Sequence, residues 1–220
     1  MKWIVIGSGC HTLGLQPVIF RYPDAQVIGP PQAEAKLNII EALPRGKLDY
    51  DSTNADQLAQ LNSILEPDGV KLMNVDGDVA TNALLAIFED QHLLQCDLVY
   101  ARTDGGFMSL TKERFYQFLP EDWILRLFYF MNVAKPNSPH GYLPAYRYQL
   151  MDPNSLGILL HNQPRWDGTS CEIMADSLRR VIQAKFEFVH GVHFDQQLER
   201  EVYVSSLDVS WNWLDGKSLV

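Results

Sequence analysis

Residues with reactive side chains follow the first predicted strand, at a glycine-rich turn. The apolar segment 3–6 leads into Gly7, Ser8 and Gly9, and the next two residues are Cys10 and His11. Loops at the ends of core strands have few packing duties, and α/β proteins commonly carry their reactive side chains there. Thiolate and imidazole groups are ligands of zinc and other transition metals, so this pair indicates a metal-binding turn.

A dinucleotide-binding turn is the alternative interpretation of the same segment. Gly7 and Gly9 match the start of a G-x-G-x-x-G pattern, but Thr12 stands where the third glycine is needed. The second predicted strand ends in a Gly-Pro-Pro sequence at 29–31, not in the acidic residue that would hold a ribose. A tight strand-to-helix turn needs glycines in any case. The pattern therefore favours the metal-binding turn.

Four segments in chain order resemble motifs of the metallo-β-lactamase superfamily. The sequence YPDAQVIGPP (22–31) is similar to the strand that follows that family's T-H-x-H-x-D-H motif. Counting back from it without gaps places the final D-H of the motif on Cys10 and His11. Three later segments match in the same order: VDGD (75–78), LLQCDLVY (93–100) and FEFVHG (186–191). In them Asp78 stands at the histidine of the P-G-H-T segment, Asp97 at the bridging aspartate and His190 in the closing turn.

The resemblance implies an α/β fold, the metallo-β-lactamase-like αββα sandwich, formed by residues 1–220 as a single domain. It implies a sandwich trimmed at its N-terminus, because only five residues precede Ile6. Residues 101–168 form a helical, aromatic-rich insertion in this interpretation. Residues 201–213 alternate well enough to predict one or two C-terminal strands, which would fill the gap in the first sheet or pair across a dimer.

The metal positions of the family are only partly retained. Its first two histidines fall on Ile6 and Ser8, and its third on Asp78, so an ordinary three-histidine site is excluded. The resemblance therefore implies at most one metal ion, zinc or iron, with these ligands: Cys10, His11, Asp97 and His190. Asp78 would act as a general base or as a hydrogen-bond partner of the attacking water. His193 replaces His190 as the ligand if the register of the closing turn differs.

Two functions follow from this interpretation. The first is a divergent metal-dependent hydrolase acting on a small, uncharged or cationic ester, amide or thioester. The second is a non-catalytic binding or interaction module on the same scaffold, with a decayed metal site in which Cys10 simply packs. The aromatic residues of 101–168 would line a pocket for a small-molecule substrate, form a homodimer surface or pack onto the domain.

Composition excludes several other classes of protein. A length of 220 residues suits one domain with a sizeable core. A net charge of −9, with 18 scattered basic residues, argues against a nucleic-acid partner. The longest apolar stretch, 123–133, contains Arg126 and is too short to span a membrane. Three widely spaced cysteines and the lack of a signal-peptide pattern after Lys2 predict a cytoplasmic protein.

Hydrophobic periodicity and capping signals predict the elements that position these residues. We expect strands at 3–6, 25–28, 70–75, 83–88 and 93–99, with the last two forming a hairpin. We expect helices at 15–21, 32–42, 54–65, 111–118, 121–133, 170–184 and 195–201.

Overall fold

Two strand–helix units at the amino terminus form a parallel sheet. The computed structural model describes residues 1–9, 12, 14–77, 82–96, 98–99, 168–191, 197–211 and 214–220. Its first five elements are β1 (Trp3–Val5), α1 (Leu15–Arg21), β2 (Gln26–Gly29), α2 (Pro31–Ile39) and β3 (Tyr50–Asp51). The strand order is β1-β2-β3, with both pairs parallel. The predicted bounds of α1 are confirmed, and those of β1, β2 and α2 agree within three residues.

A second, mixed sheet contains the remaining strands. Helix α3 (Ala55–Leu65) and a 3₁₀ turn (Glu66–Asp68) lead into β4 (Val70–Asn74), β5 (Leu84–Phe88) and β6 (His92–Gln95). These three strands are antiparallel neighbours, which confirms the predicted β5–β6 hairpin. Beyond them lie α4 (Gly168–Gln183), β7 (Phe188–Gly191), β8 (Leu198–Glu199) and α5 (Arg200–Trp211). Strand β7 is parallel to β6, and β8 is antiparallel to β7.

Local sequence explains where the helices of the first half begin. Asn54 accepts a hydrogen bond from the backbone N–H of Gln57 over 3.0 Å, and so caps α3 as expected of an N-cap asparagine. Pro31 occupies the first turn of α2, where its missing N–H leaves no hydrogen bond unmade. Gly14 precedes α1 with a φ of 82°, a conformation that glycine adopts without strain.

Alternating side chains of each strand belong to different buried clusters. Ile4 of β1 and Val27 of β2 share a cluster with Ile19 of α1 and Leu37 of α2. Ile28, the next residue of β2, instead shares a cluster with Leu61 of α3 and with β4 and β5 residues of the mixed sheet. The parallel sheet therefore packs α1 and α2 on one face, and its other face contributes to a core shared with the mixed sheet.

The mixed sheet is arranged in the same way. Leu85 of β5, Leu93 of β6 and Val189 of β7 share the largest cluster with Leu178 of α4 and Leu207 of α5. Alternate residues of β4 and β5, Leu72 and Leu84, lie in the cluster shared with the parallel sheet. Helices α4 and α5 thus cover one face of this sheet.

The carboxyl-terminal strands predicted at 201–213 are wrong, because α5 occupies residues 200–211. Its buried residues Tyr203, Leu207 and Trp211 recur every four positions, which is helical spacing, and Ser206 Oγ donates to the carbonyl of Val202 one turn earlier. Valine, tyrosine and tryptophan favour strands in isolation, and packing against the mixed sheet overrides that preference. The C-terminus therefore supplies no strand to the parallel sheet from these residues.

Two smaller predictions are also corrected. The segment 186–191, expected as a closing turn, contains strand β7. Within 195–201, expected as a helix, residues 198–199 form β8 and the helix begins only at Arg200. The insertion predicted at 101–168 lies outside the described residues, apart from the start of α4. None of the helices that the structure describes is both long and apolar enough to cross a bilayer.

Candidate functional site

The ends of four strands meet at one edge of the two sheets. Asn74 at the end of β4 pairs with Leu84 at the start of β5, and Gln95 at the end of β6 pairs with Gly191 at the end of β7. The backbone N–H of Leu84 donates to the carbonyl of Gly7 over 3.0 Å. This hydrogen bond joins the chain just beyond β1 to the edge of the mixed sheet.

The turn after β1 lies directly against the end of β6. A Cβ atom placed on Gly7 would lie 3.4 Å from the Cβ of Cys96 and 3.5 Å from the carbonyl oxygen of Leu84. Gly7 is three residues before Cys10, and Cys96 immediately precedes Asp97. The segments that lead into these two predicted ligands are therefore in contact.

The structure describes His190 but not the other four predicted site residues. Cys10, His11, Asp78 and Asp97 lie outside the described residues, and so does His193. Their neighbours Gly9, Gly77, Cys96 and Leu98 are described. The geometry of the candidate site is therefore given by these flanking residues and by His190.

A lysine of α2 holds the turn after β1. Lys36 Nζ donates to the carbonyl of Gly9 over 2.7 Å, one peptide before Cys10. Ser8 is fully buried in the same turn. Because α2 follows β2 in the chain, this contact fixes the turn against an element more than twenty residues away.

The loop after β4 is clamped to α4. Asp76 forms an ion pair with Arg180 of α4 over 2.5 Å, and its backbone N–H donates to Ser177 Oγ over 3.1 Å. Gly77 has a φ of 80°, and a Cβ there would lie 2.5 Å from the carbonyl oxygen of Ser170 and 2.6 Å from the backbone nitrogen of Met174. Only glycine allows this close approach of loop and helix. The clamp ends one residue before Asp78.

The chain after β6 is organised by a buried amide. Gln95 Oε1 accepts hydrogen bonds from the backbone N–H groups of Leu98 and Val99, and its Nε2 donates to the carbonyl of Val99. Trp211 Nε1 of α5 donates to the carbonyl of Leu98 over 2.9 Å. Four hydrogen bonds thus hold the described residues on either side of position 97.

His190 is paired with a histidine, His92, for which the sequence predicted no role. His92 Nδ1 lies 2.7 Å from His190 Nε2, and the ring of His92 also lies 5.3 Å from that of Phe188. Residues 89–92 were expected to be the turn of the β5–β6 hairpin, whereas His92 is the first residue of β6. The two histidines are 98 residues apart, and only the parallel pairing of β6 with β7 brings them together.

Among the described side chains, no three His, Cys, Asp or Glu residues form a group that could hold a metal ion. Four further residues near the site had no predicted role: Lys36, Gln95, Arg180 and Trp211. Lys36, Arg180 and Trp211 gave no signal because each contacts a segment distant in the chain, whereas Gln95 contacts residues only three and four positions later. Burial of an amide or an indole cannot be seen in composition or spacing.

No protein-family model matches the sequence, and no curated protein matches it. Among solved structures, the chain is similar to an archaeal metallo-β-lactamase superfamily protein from Sulfolobus tokodaii. The sequence identity is 13%, the TM-score is 0.42, and the match covers 94% of this chain and 66% of that protein. The chain thus spans just under two thirds of the length of that protein.

Proposed function

We propose that the protein is a divergent metal-dependent hydrolase whose two sheets form the αββα sandwich of the metallo-β-lactamase superfamily, trimmed at its amino terminus. The observation that carries this proposal is the contact between Gly7 and Cys96. It supports a site in which Cys10, His11 and Asp97 approach each other at one edge of the sheets. The arrangement of buried clusters, with helices outside and a core shared by the sheets, supports the same fold.

The proposed donor set suits one zinc or iron ion. Cys10 would supply a thiolate, His11 and His190 imidazoles, and Asp97 a carboxylate, which together are an acceptable set for either metal. Such an ion, when bound, supplies Lewis acidity and lowers the pKa of water so that it attacks at neutral pH. Asp78 would accept the proton of the attacking water, and the clamp at Asp76 and Gly77 would hold it in reach.

The closing ligand is either His190 or His193. Nε2 of His190 is engaged with His92, so His190 can use only Nδ1 for a metal while this contact persists. His193 lies three residues further toward the loop that leaves β7. His190 is the first candidate, because a metal-binding histidine commonly hydrogen-bonds a second group through its other ring nitrogen.

The substrate is proposed to be a small ester, amide or thioester without negative charge. The net charge of −9 disfavours an anionic substrate and any nucleic acid. The aromatic segment within 101–168 is the proposed source of a pocket or of a homodimer surface, and the cytoplasm is the proposed location.

Metal analysis of the Cys10→Ser variant tests the proposal. The protein would be purified without chelator or affinity metal, and its zinc and iron content measured at several pH values. We expect about one equivalent in the wild type, loss of the metal at acidic pH as its ligands are protonated, and loss of the metal from Cys10→Ser. Cys171→Ser, which removes a thiol of α4 that is not among the proposed ligands, is the matched control and should retain the metal.

An unchanged metal content in Cys10→Ser would show that the ligand set is wrong. If the metal is present, esters and thioesters are the first substrates to screen, and Asp78→Asn should lower the rate without removing the metal. A protein that takes up neither zinc nor iron would instead support the second function.

The second candidate function is a non-catalytic binding module with a decayed site. Ile6 and Ser8 stand at two metal positions of the superfamily, and their exposed fractions are 2% and 0%. Both side chains are therefore buried in the protein interior, as expected if these positions no longer bind a metal ion. A metal-free protein that binds a partner through residues 101–168 would establish this alternative.

A further inference from the structure

We infer that His92 is a positioning residue for His190, holding its Nε2 so that Nδ1 is the ring nitrogen left for a metal ion. This inference rests on the proposed function, since it assigns His190 a ligand role there. It adds to the proposed site a residue from the opposite end of β6, just before the segment 93–100.

The contact between the two rings is a well-directed hydrogen bond. The ring centroids are 5.0 Å apart and the ring planes are inclined by 17°. The centroid distance equals the nitrogen–nitrogen distance of 2.7 Å plus about one ring radius for each of the two rings. Both nitrogens therefore lie near the line that joins the ring centres, and the rings meet edge to edge in nearly one plane.

The same geometry excludes a metal ion between the two nitrogens. A zinc ion on that line would need about 2.0–2.1 Å to each nitrogen. The observed separation of 2.7 Å is far shorter than the sum of two such bonds. A single proton is the only bridge that fits, so one ring donates and the other accepts.

The strand register gives the direction in which His190 is held. Leu94 pairs with His190, and His92 lies two residues earlier on β6, opposite Phe188. Nε2 of His190 is therefore directed toward the start of β6, away from the edge where Asp97 follows β6. Because the two nitrogens of an imidazole point in roughly opposite directions, Nδ1 of His190 lies on the side of the ring away from His92.

The inferred ligand role of Nδ1 determines which ring nitrogen of His190 carries the proton. A metal-binding nitrogen must be unprotonated, so a ligating Nδ1 requires that His190 carry its proton on Nε2. His190 Nε2–H then donates to His92 Nδ1, and His92 carries its own proton on Nε2. Phe188 packs beside His92 at 5.3 Å and limits rotation of the accepting ring. The inference thus predicts one tautomer for each histidine before any metal is added.

Nitrogen NMR of the metal-free protein, combined with zinc titration, tests the inference. We expect the Nε2–H tautomer for both rings in the wild type when both are neutral. His92→Phe, which removes the acceptor, should weaken zinc binding by about 10- to 100-fold, as expected for loss of a partner of a metal ligand. His92→Gln, whose amide oxygen can accept the same hydrogen bond, should restore part of the affinity. Leu94→Ala is the control, because Leu94 lies beside His190 with 43% of its surface exposed and forms no hydrogen bond through its side chain.

Distinct results separate this inference from the proposed function. An Nδ1–H tautomer of His190, or equal zinc affinity in the wild type and His92→Phe with loss of zinc in Cys10→Ser, would overturn the role of His92 and leave the proposed function standing. A wild type that binds no zinc or iron would overturn both. Weakened binding in His92→Phe with partial recovery in His92→Gln would support both.

Discussion

Burial of the Tyr203 hydroxyl lowers the stability of the fold. Tyr203 is the largest fully buried side chain that the structure describes, and its hydroxyl has no hydrogen-bond partner among the described residues. Its ring packs edge to face against Phe186, with the centroids 6.0 Å apart. Aromatic packing stabilises this arrangement, while the buried hydroxyl opposes it. Burial also raises the pKa of Tyr203.

We expect Tyr203→Phe to raise the free energy of unfolding by about 1 kcal/mol, because the unpaired hydroxyl is removed and the ring is kept. Because the pKa is raised in the folded state, the unfolded chain releases the Tyr203 proton first, so the wild type loses stability as the pH rises above the unfolded pKa of about 10. The variant should therefore lose less stability than the wild type above about pH 10.

Urea unfolding of both proteins at neutral and alkaline pH measures this difference. Tyr22→Phe is the control, since Tyr22 is 36% exposed and its hydroxyl can reach water. A destabilised Tyr203→Phe at neutral pH would mean that the hydroxyl makes a stabilising contact.

At the scale of elements, the loop after β4 depends on one glycine. Gly77 and Gly46 have similar backbone angles, with φ values of 80° and 68°. A Cβ on Gly77 would clash with the backbone of α4, whereas a Cβ on Gly46 would meet no atom within 4 Å. Alanine at Gly46 therefore measures the cost of an unfavourable φ alone, and alanine at Gly77 measures that cost together with a steric clash.

We expect Gly46→Ala to lower the free energy of unfolding by about 1–2 kcal/mol, the cost of a left-handed conformation. Gly77→Ala should lower it by about 3–5 kcal/mol, because the loop and α4 must also move apart. Thermal and urea unfolding give both values. Equal losses in the two variants would show that loop and helix separate without cost, and the loop would then not be clamped.

At the scale of the whole molecule, the C-terminal segment is tied to two helices. Arg179 of α4 donates to Asp215 over 2.8 Å, and Asp208 of α5 accepts hydrogen bonds from the hydroxyl and backbone N–H groups of residues 218 and 219. Leu214 and Leu219 are buried in the cluster that contains α4 and α5. These contacts join the end of the chain to the largest core.

The ion pair between Asp215 and Arg179 predicts that the free energy of unfolding depends on pH in the acidic range. Burial of this carboxyl raises its pKa, but hydrogen bonds from Arg179 and the backbone N–H of Lys217 outweigh that effect, and the net pKa lies below its usual range. A lowered pKa stabilises the fold above the unfolded pKa of about 3.9, and this contribution is lost as the pH falls through the folded value. Asp215→Asn should therefore reduce the free energy of unfolding by about 1–2 kcal/mol at pH 7 and show a smaller further loss below about pH 4.

Asp176→Asn is the matched control for this prediction. Asp176 contacts the same guanidinium over 3.0 Å, but its side chain is 72% exposed, against 10% for Asp215. An exposed pair contributes little, so this variant should change stability by less than about 0.5 kcal/mol. Similar effects of the two substitutions would contradict a larger contribution of the less exposed pair of Arg179 and Asp215.

Residue pattern by itself predicted the local elements of this protein. Helix α3 followed from its asparagine cap and apolar spacing, and the β5–β6 hairpin followed from two apolar runs around a polar turn. These predictions succeed because capping and alternation act over a few residues. Cys10, His11, Asp78 and Asp97 remain predictions, and the structure describes only the segments that flank them.

Contacts between residues far apart in the chain determined the remaining elements, which local sequence did not predict. Strand β7 exists because it pairs with β6 from far along the chain, and residues 201–211 are helical because Tyr203, Leu207 and Trp211 can then face the mixed sheet together. The pairing of His92 with His190 arises in the same way, from the register of two parallel strands. No local pattern encodes which distant strand will be a neighbour, because that choice depends on burial of the whole sheet.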